Sequence, residues 1–299
     1  MKTETTVIAY DIHDVTEYIN WLYFFHSWGF QPRFATIAQI HGCDACRASW
    51  LASFPKEDIP KAAEAMQLHK EAQRMLNALD GDFKVYAMYR LMDAYADGDD
   101  LLLDGVRFPL LRQQTHVRED DPYLCLSDFV RPLEQGIADT VGAFATTIDE
   151  EMEKPFEDDD YKRMLIKTLG ERLAEAAVEK MHQHIRKHVW GYAPDENLSM
   201  HQLLNEEFQG IRPAIGYPSL PDISTSHILD ELLQLNRIGI RLTENGMMQP
   251  HASVSGLMFA HPAAHYFSVG KIDQTQLADY AERRSKSVAE MRKYLLGNL

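Results

Sequence analysis

Apolar residues recur at helical spacing over several stretches of the chain. Residues 14–28, DVTEYINWLYFFHSW, predict an amphipathic helix with Asp14 and Glu17 in an acidic first turn and Gly29 placed to end it. Residues 60–79 predict a second, with Ala63, Met66, Ala72, Met75, Leu76 and Leu79 near one face. The period then changes. Residues 83–91 alternate and are rich in aromatic and β-branched types, and ADGDD supplies turn chemistry before Leu101–Leu103, which predicts a hairpin. A long helix is expected over residues 161–188, burying Leu165, Leu169, Leu173, Ala176, Ala177, Met181 and Ile185, with the acidic run 157–160 ahead of its positive end.

Ser199 and Gln202 read as a capping box for a short helix, and another helix is expected over residues 225–237. SVSGLMF and HYFSVGKI predict an antiparallel pair joined through residues 260–264. Two helices close the chain, the last capped by Ser287 and Glu290 and ended near Gly297. Helices and hairpins do not alternate as βαβ units, and no Gly-rich phosphate loop follows a strand. The pattern is α+β with antiparallel pairing. No repeat, low-complexity linker or composition shift marks a boundary, so one compact domain over residues 1–299 is the expectation.

Composition narrows the function. With 45% hydrophobic and 25% charged residues, the 299-residue chain is long enough to bury a sizeable core. Its net charge of −15 argues against a nucleic-acid binder, which needs a basic face. No apolar run approaches the length of about 18 residues expected of a membrane span, and the N-terminus does not read as a signal peptide. Three cysteines suit a reducing compartment, so a cytoplasmic protein is expected.

Four constellations carry candidate chemistry. His41, Cys43 and Cys46 in HGCDAC offer ligands for zinc or a redox dithiol. A structural zinc takes four ligands and no second C-x-x-C exists, so incidental cysteines and no metal are expected. His184 and His188 in MHQHIRKH share a helical face, but the charged neighbours of His182, His184 and His188 predict a solvated one. DIHD (Asp11, His13, Asp14) begins like a D-x-H-x-x-G corrin-binding signature, yet Thr16 stands at the glycine position. No matching downstream serine and glycine-rich segments appear either, so no standard corrin-binding module is expected in this chain.

The fourth is residues 210–222, GIRPAIGYPSLPD. Three prolines and two glycines exclude helix or central strand there. A stiffened loop lowers the ordering cost of an arginine gripping a carboxylate with two parallel hydrogen bonds, and Gly216 permits close backbone approach. Those residues alone suit a structural loop equally well.

RPAIGYP resembles the R-x-x-x-G-Y motif of the activation domain of cobalamin-dependent methionine synthase. YINWLYFF, LRQQ, LCLSDFV, GAFATT, DDYKRMLIKTLGERLAEA, WGYAPDENLS, LTENGMM and ASVSGLMFAHPAAHYFSVGKI resemble that family's blocks in order and spacing. Coverage runs from about residue 18 to the C-terminus and is weakest over residues 29–109, around HGCDAC and a shortened hairpin. The resemblance implies a twisted antiparallel sheet with flanking helices and a site for S-adenosylmethionine. In that site Arg212 would hold the ligand carboxylate, and Tyr217 would sit beside the transferable methyl, facing a corrin without acting as nucleophile. Glu175 matches an acid near the amino acid and sulfonium, and Tyr266 and Phe267 match the adenosine contacts. Ala214 and Gly216 would contribute backbone.

Where the family carries aspartate, this chain has Asn20, which keeps an acceptor but loses the charge that pairs with an ammonium. Weaker affinity, or compensation by Glu175 and another acid, is the expected consequence. The implied activity is reductive reactivation of the synthase. A flavodoxin-like or flavoprotein donor supplies an electron, and the methyl goes to cobalamin carried by a separate, cobalamin-binding synthase polypeptide. A non-catalytic capping subunit of a corrinoid protein, or a different corrinoid methyltransferase as client, are the alternatives. A basic face for the electron donor is expected around Lys162, Arg163, Lys167, Arg186 and Lys187.

Overall fold

The computed structural model describes residues 2–115 and 121–299. Strand β1 (Thr6–Asp11) leads into α1 (Ile12–Thr16), α2 (Trp21–Ser27), a 3-10 stretch (Pro32–Gln39), α3 (Asp44–Ala52) and α4 (Ile59–Leu79). A meander follows, β2 (Lys84–Asp97), β3 (Asp100–Leu103) and β4 (Val106–Pro109), and then β5 (Asp139–Ile148) and α5 (Asp160–His184). The remainder is α6 (Met200–Leu204), α7 (Ser226–Leu233), the small pair β6 (Arg241–Leu242) and β7 (Met248–Gln249), β8 (Ser253–Met258), α8 (Gln274–Arg283) and α9 (Val288–Tyr294).

The fold is α+β, a curled antiparallel sheet with flanking helices. Sheet order is β4-β3-β2-β5-β8, with β1 also on β2. The predicted hairpin is present, its turn between Asp97 and Asp100, but β2 runs 14 residues. β5 is buried from Val141 to Ile148, as a strand covered on both faces must be, and so it reads as a continuous apolar run instead of alternating.

The chain forms two compact units. One comprises Ala87–Thr147 and Met181–Leu299 with the N-terminal residues to Ile8; the other comprises Ala9–Tyr86 and Ile148–Lys180. Each draws on non-contiguous segments, so neither leaves a linker or composition shift in the sequence. In the second unit, α4 buries Ala62, Ala65, Leu68, Ala72, Met75 and Leu76, a face rotated from the predicted one because Ala63 and Met66 are only half-buried. Its His69 sits edge-on to Trp21, and burial lowers that imidazole's pKa to about 4.

Three expectations need correction. The helix over residues 14–28 is two helices, because Asn20 caps a new one: its Oδ1 accepts the Leu22 N–H at 3.2 Å. The helix over 225–237 stops at Leu233, where Gln234 turns left-handed. SVSGLMF does not pair with HYFSVGKI. β8 pairs with β5 instead, with Gly142 opposite Met258 and Thr147 opposite Ser253, and residues 261–273 are irregular. β5 is the longer partner and satisfies the full β8 ladder, so no return through Pro262 is needed to pair it.

Candidate functional site

The loop 210–222 lies in the first unit, against β8 at the end of the sheet path. Ile211 and Phe259 exchange two backbone hydrogen bonds of 2.9 Å, and Leu257 N–H donates to Pro213 O at 3.1 Å. Ile215 N–H donates to Ser255 O at 2.8 Å. Pro213 has no N–H, so the segment attaches as an irregular strap instead of a further strand. Gly256 makes the attachment possible: a Cβ there would stand 2.2 Å from Pro213 O and 2.8 Å from Ala214 Cα. An isolated glycine inside SVSGLMF was the available sign of such a close approach.

The far end of the loop is fixed as firmly. Val269 N–H donates to Pro218 O at 2.9 Å, tying the loop to the segment after Tyr266 and Phe267. Asp222, 1% exposed, accepts the Tyr280 hydroxyl at 2.8 Å and pairs with Arg284 at 3.3 Å. Between these anchors Tyr217 N–H donates to Ala214 O and Leu220 N–H to Tyr217 O, a turn that leaves the Tyr217 ring 52% exposed. Gly216 takes φ +88°, and a side chain there would press Ile223.

Arg212 and Tyr266, 54 residues apart in sequence, meet directly. The Arg212 backbone N–H donates to Tyr266 Oη at 3.0 Å. The Arg212 side chain is only 11% exposed, and its guanidinium lies 5.3 Å from the Phe208 ring centre. Glu206 Oε1 stands 3.9 Å from its Nη2, too far for a hydrogen bond. Phe267 packs on the cluster around Leu111, Val269 and Tyr280. The loop, Tyr266 and Phe267 thus form one constellation, with Ala214 and Gly216 in its strap.

Behind it lies a polar group that periodicity did not expose. α5 ends in a π turn, Ile185–Val189, which carries Arg186 fully inside. Glu196 accepts two hydrogen bonds from Arg186, each 2.7 Å, and the guanidinium lies 4.0 Å from the Phe208 ring centre. His182 Nδ1 accepts from Arg186 Nη1 at 2.8 Å, which leaves the ring's proton on Nε2, 3.4 Å from Tyr192 Oη. His182 is therefore buried, not solvated, because helical rotation puts it beside the Met181 stripe. His184 and His188 do share a face, with ring centres 5.3 Å apart.

Burial first, then the Arg186 and Arg212 charges, hold His182 well below its ordinary pKa. The neutral ring is the native form. Protonation above that lowered value occurs only in the unfolded chain, so stability is intact above about pH 6.5 and falls as pH drops, by up to about 1.4 kcal/mol per unit. His69 adds the same trend between about pH 6.5 and its value of about 4. Urea unfolding at pH 7.5, 6.5 and 5.5 should show that loss, and a flat profile would contradict it.

Asn20 and Glu175 belong to the second unit. Asn20 caps α2 as described, and Glu175 Oε2 accepts from Arg172 Nη1 at 3.3 Å. Asp11 and Asp14 of DIHD form the capping box of α1, a structural use of those carboxylates. The proposed basic face needs revision. Arg186 is buried, while Lys162 and Arg163 are exposed but paired with Asp159 at 3.1 Å and Asp160 at 2.6 Å. Lys167 is exposed and Lys187 half-buried, and Lys187 lies in the other unit from Lys162, Arg163 and Lys167.

Residues 11–285 match the family described as vitamin B12 dependent methionine synthase, activation domain. Among solved structures, the chain is similar to the crystal structure of the MetH reactivation domain bound to AdoHcy. That match has a TM-score of 0.87 and 35% identity, and covers 100% of this chain and 91% of that one. No helix among the described residues is long and apolar enough to cross a membrane.

Proposed function

The chain belongs to the family of vitamin B12-dependent methionine synthase activation domains, and on that footing we propose that it binds S-adenosylmethionine for the reactivation of the synthase. The observation that carries the reading is the Arg212–Tyr266 contact on a strap fixed at both ends. A solved family member that is 35% identical holds AdoHcy, the demethylated form of the same ligand.

S-adenosylmethionine supplies an electrophilic methyl on sulfonium, and the substrate that takes it is cobalamin held by the cobalamin-binding synthase core. This chain's task is positioning. The Arg212 guanidinium grips the ligand carboxylate with a two-pronged, charge-assisted contact. Tyr266 and Phe267 offer aromatic surface to the adenosine, and the strap backbone at Ala214 and Gly216 lines the approach. Tyr217, half-exposed on its turn, faces the incoming corrin and stays chemically unchanged. The electron comes from a flavodoxin-like or flavoprotein donor, in the cytoplasm.

Calorimetry with S-adenosylmethionine and AdoHcy tests the binding step. One specific site per chain for each ligand is expected. No specific heat at millimolar ligand would favour a capping subunit that delivers no methyl.

A further inference from the structure

We infer that His41, Cys43 and Cys46 form a binding site for a thiophilic divalent cation, with Zn(II) the ion that fits best. Nδ1 or Nε2 of His41 and the two sulfurs all lie within 4.8 Å of one another, and no other such group of His, Cys, Asp or Glu occurs among the described residues.

Local structure explains the convergence. Cys43 is the N-cap of the nine-residue α3, and its Sγ accepts the Cys46 N–H at 3.3 Å. That bond fixes the sulfur over the first helical turn, where Cys46, three residues on, presents its own sulfur. His41 approaches from the irregular segment preceding the helix. In a tetrahedral zinc site, bonds of about 2.3 Å to sulfur and 2.0–2.1 Å to nitrogen put neighbouring ligand atoms roughly 3.5–3.8 Å apart. Side-chain rotations of about an ångström at this exposed turn close the difference.

The donor set suits zinc chemically. Two thiolates and a neutral imidazole balance the ion's double charge, and sulfur with imidazole selects zinc over magnesium or calcium. Loading forms two Zn–S bonds and one Zn–N bond and releases the two thiol protons to solvent. The requirement for four protein ligands, which argued against zinc from sequence, applies to closed structural sites. A site with three protein ligands keeps a position for water or a donor from another molecule. His41 is exposed and both cysteines are half-buried, which leaves that fourth position accessible. The third cysteine, Cys125, is fully buried in the other unit and serves as an internal control.

The test uses the full chain, reduced with a phosphine and stripped with a chelator, then titrated with Co(II) and Zn(II). One Co(II) should bind with thiolate charge-transfer bands and the intense visible absorption of tetrahedral cobalt, and one Zn(II) should displace it. His41→Ala and Cys46→Ser should each weaken Zn(II) binding more than about 100-fold, since loss of an outer-shell partner alone costs 10–100-fold. Cys125→Ser should bind as the parent does. Zn(II) should also raise the melting temperature of the parent chain, a readout independent of whether the variants fold. An octahedral cobalt spectrum, equal binding by the variants, or a zinc-free chain isolated with a Cys43–Cys46 disulfide would overturn the inference.

Discussion

Replacing Arg212 with alanine is expected to weaken S-adenosylmethionine binding by about 30- to 1,000-fold, equivalent to roughly 2–4 kcal/mol. The side chain is almost wholly enclosed, so a ligand carboxylate there is shielded from water and leans on the guanidinium alone for its charge. Arg212→Lys keeps the charge but not the fork, and should sit between the two. The strap is held by backbone bonds of Ile211, Pro213 and Ile215, none of which needs the arginine side chain, so the variant should keep its fold by circular dichroism. Calorimetry reads the result directly. An affinity within threefold of the parent would remove Arg212 from the binding role.

Glu196→Ala should destabilise the protein by about 3–5 kcal/mol, because it leaves the fully buried Arg186 charge without its bidentate carboxylate. That corresponds to a fall of roughly 5–15 °C in melting temperature. Glu196→Gln, which retains an acceptor, should lose less. Arg186 and Arg212 both lie against Phe208, so the alanine variant should also weaken ligand binding, although Glu196 touches no part of the constellation. A melting temperature unchanged within 2 °C would mean that water or a rearranged partner takes over the guanidinium.

Much of the fold was legible because long helices and capping boxes are local. The α5 stripe from Leu165 to Ile185 is buried as its spacing predicts, and Ser199 and Ser287 cap their helices as expected. The failures share a cause. The partner of β8 is β5, over a hundred residues earlier, and no local pattern distinguishes that pairing from a hairpin with the next apolar run. Arg186 and His182 looked solvated because charge was read as exposure, whereas Glu196 and a π turn allow both to be enclosed. In the loop, Arg212 and Tyr217 stood out by composition and resemblance, but the Tyr266 hydroxyl bound to the Arg212 amide is a tertiary fact. At HGCDAC the spacing was visible, and the convergence of its third donor was not.

The proposed role is delivery of a methyl to a partner's cobalamin. Its most direct test mixes the chain with a methionine synthase core lacking its own activation domain, loaded with cob(II)alamin, together with a reducing flavodoxin and S-adenosylmethionine. Absorbance should report methylcobalamin forming only when chain and methyl donor are both present, and far more slowly with Arg212→Ala. A cob(II)alamin spectrum that persists at saturating S-adenosylmethionine, with the parent chain folded and bound to its ligand, would contradict that role.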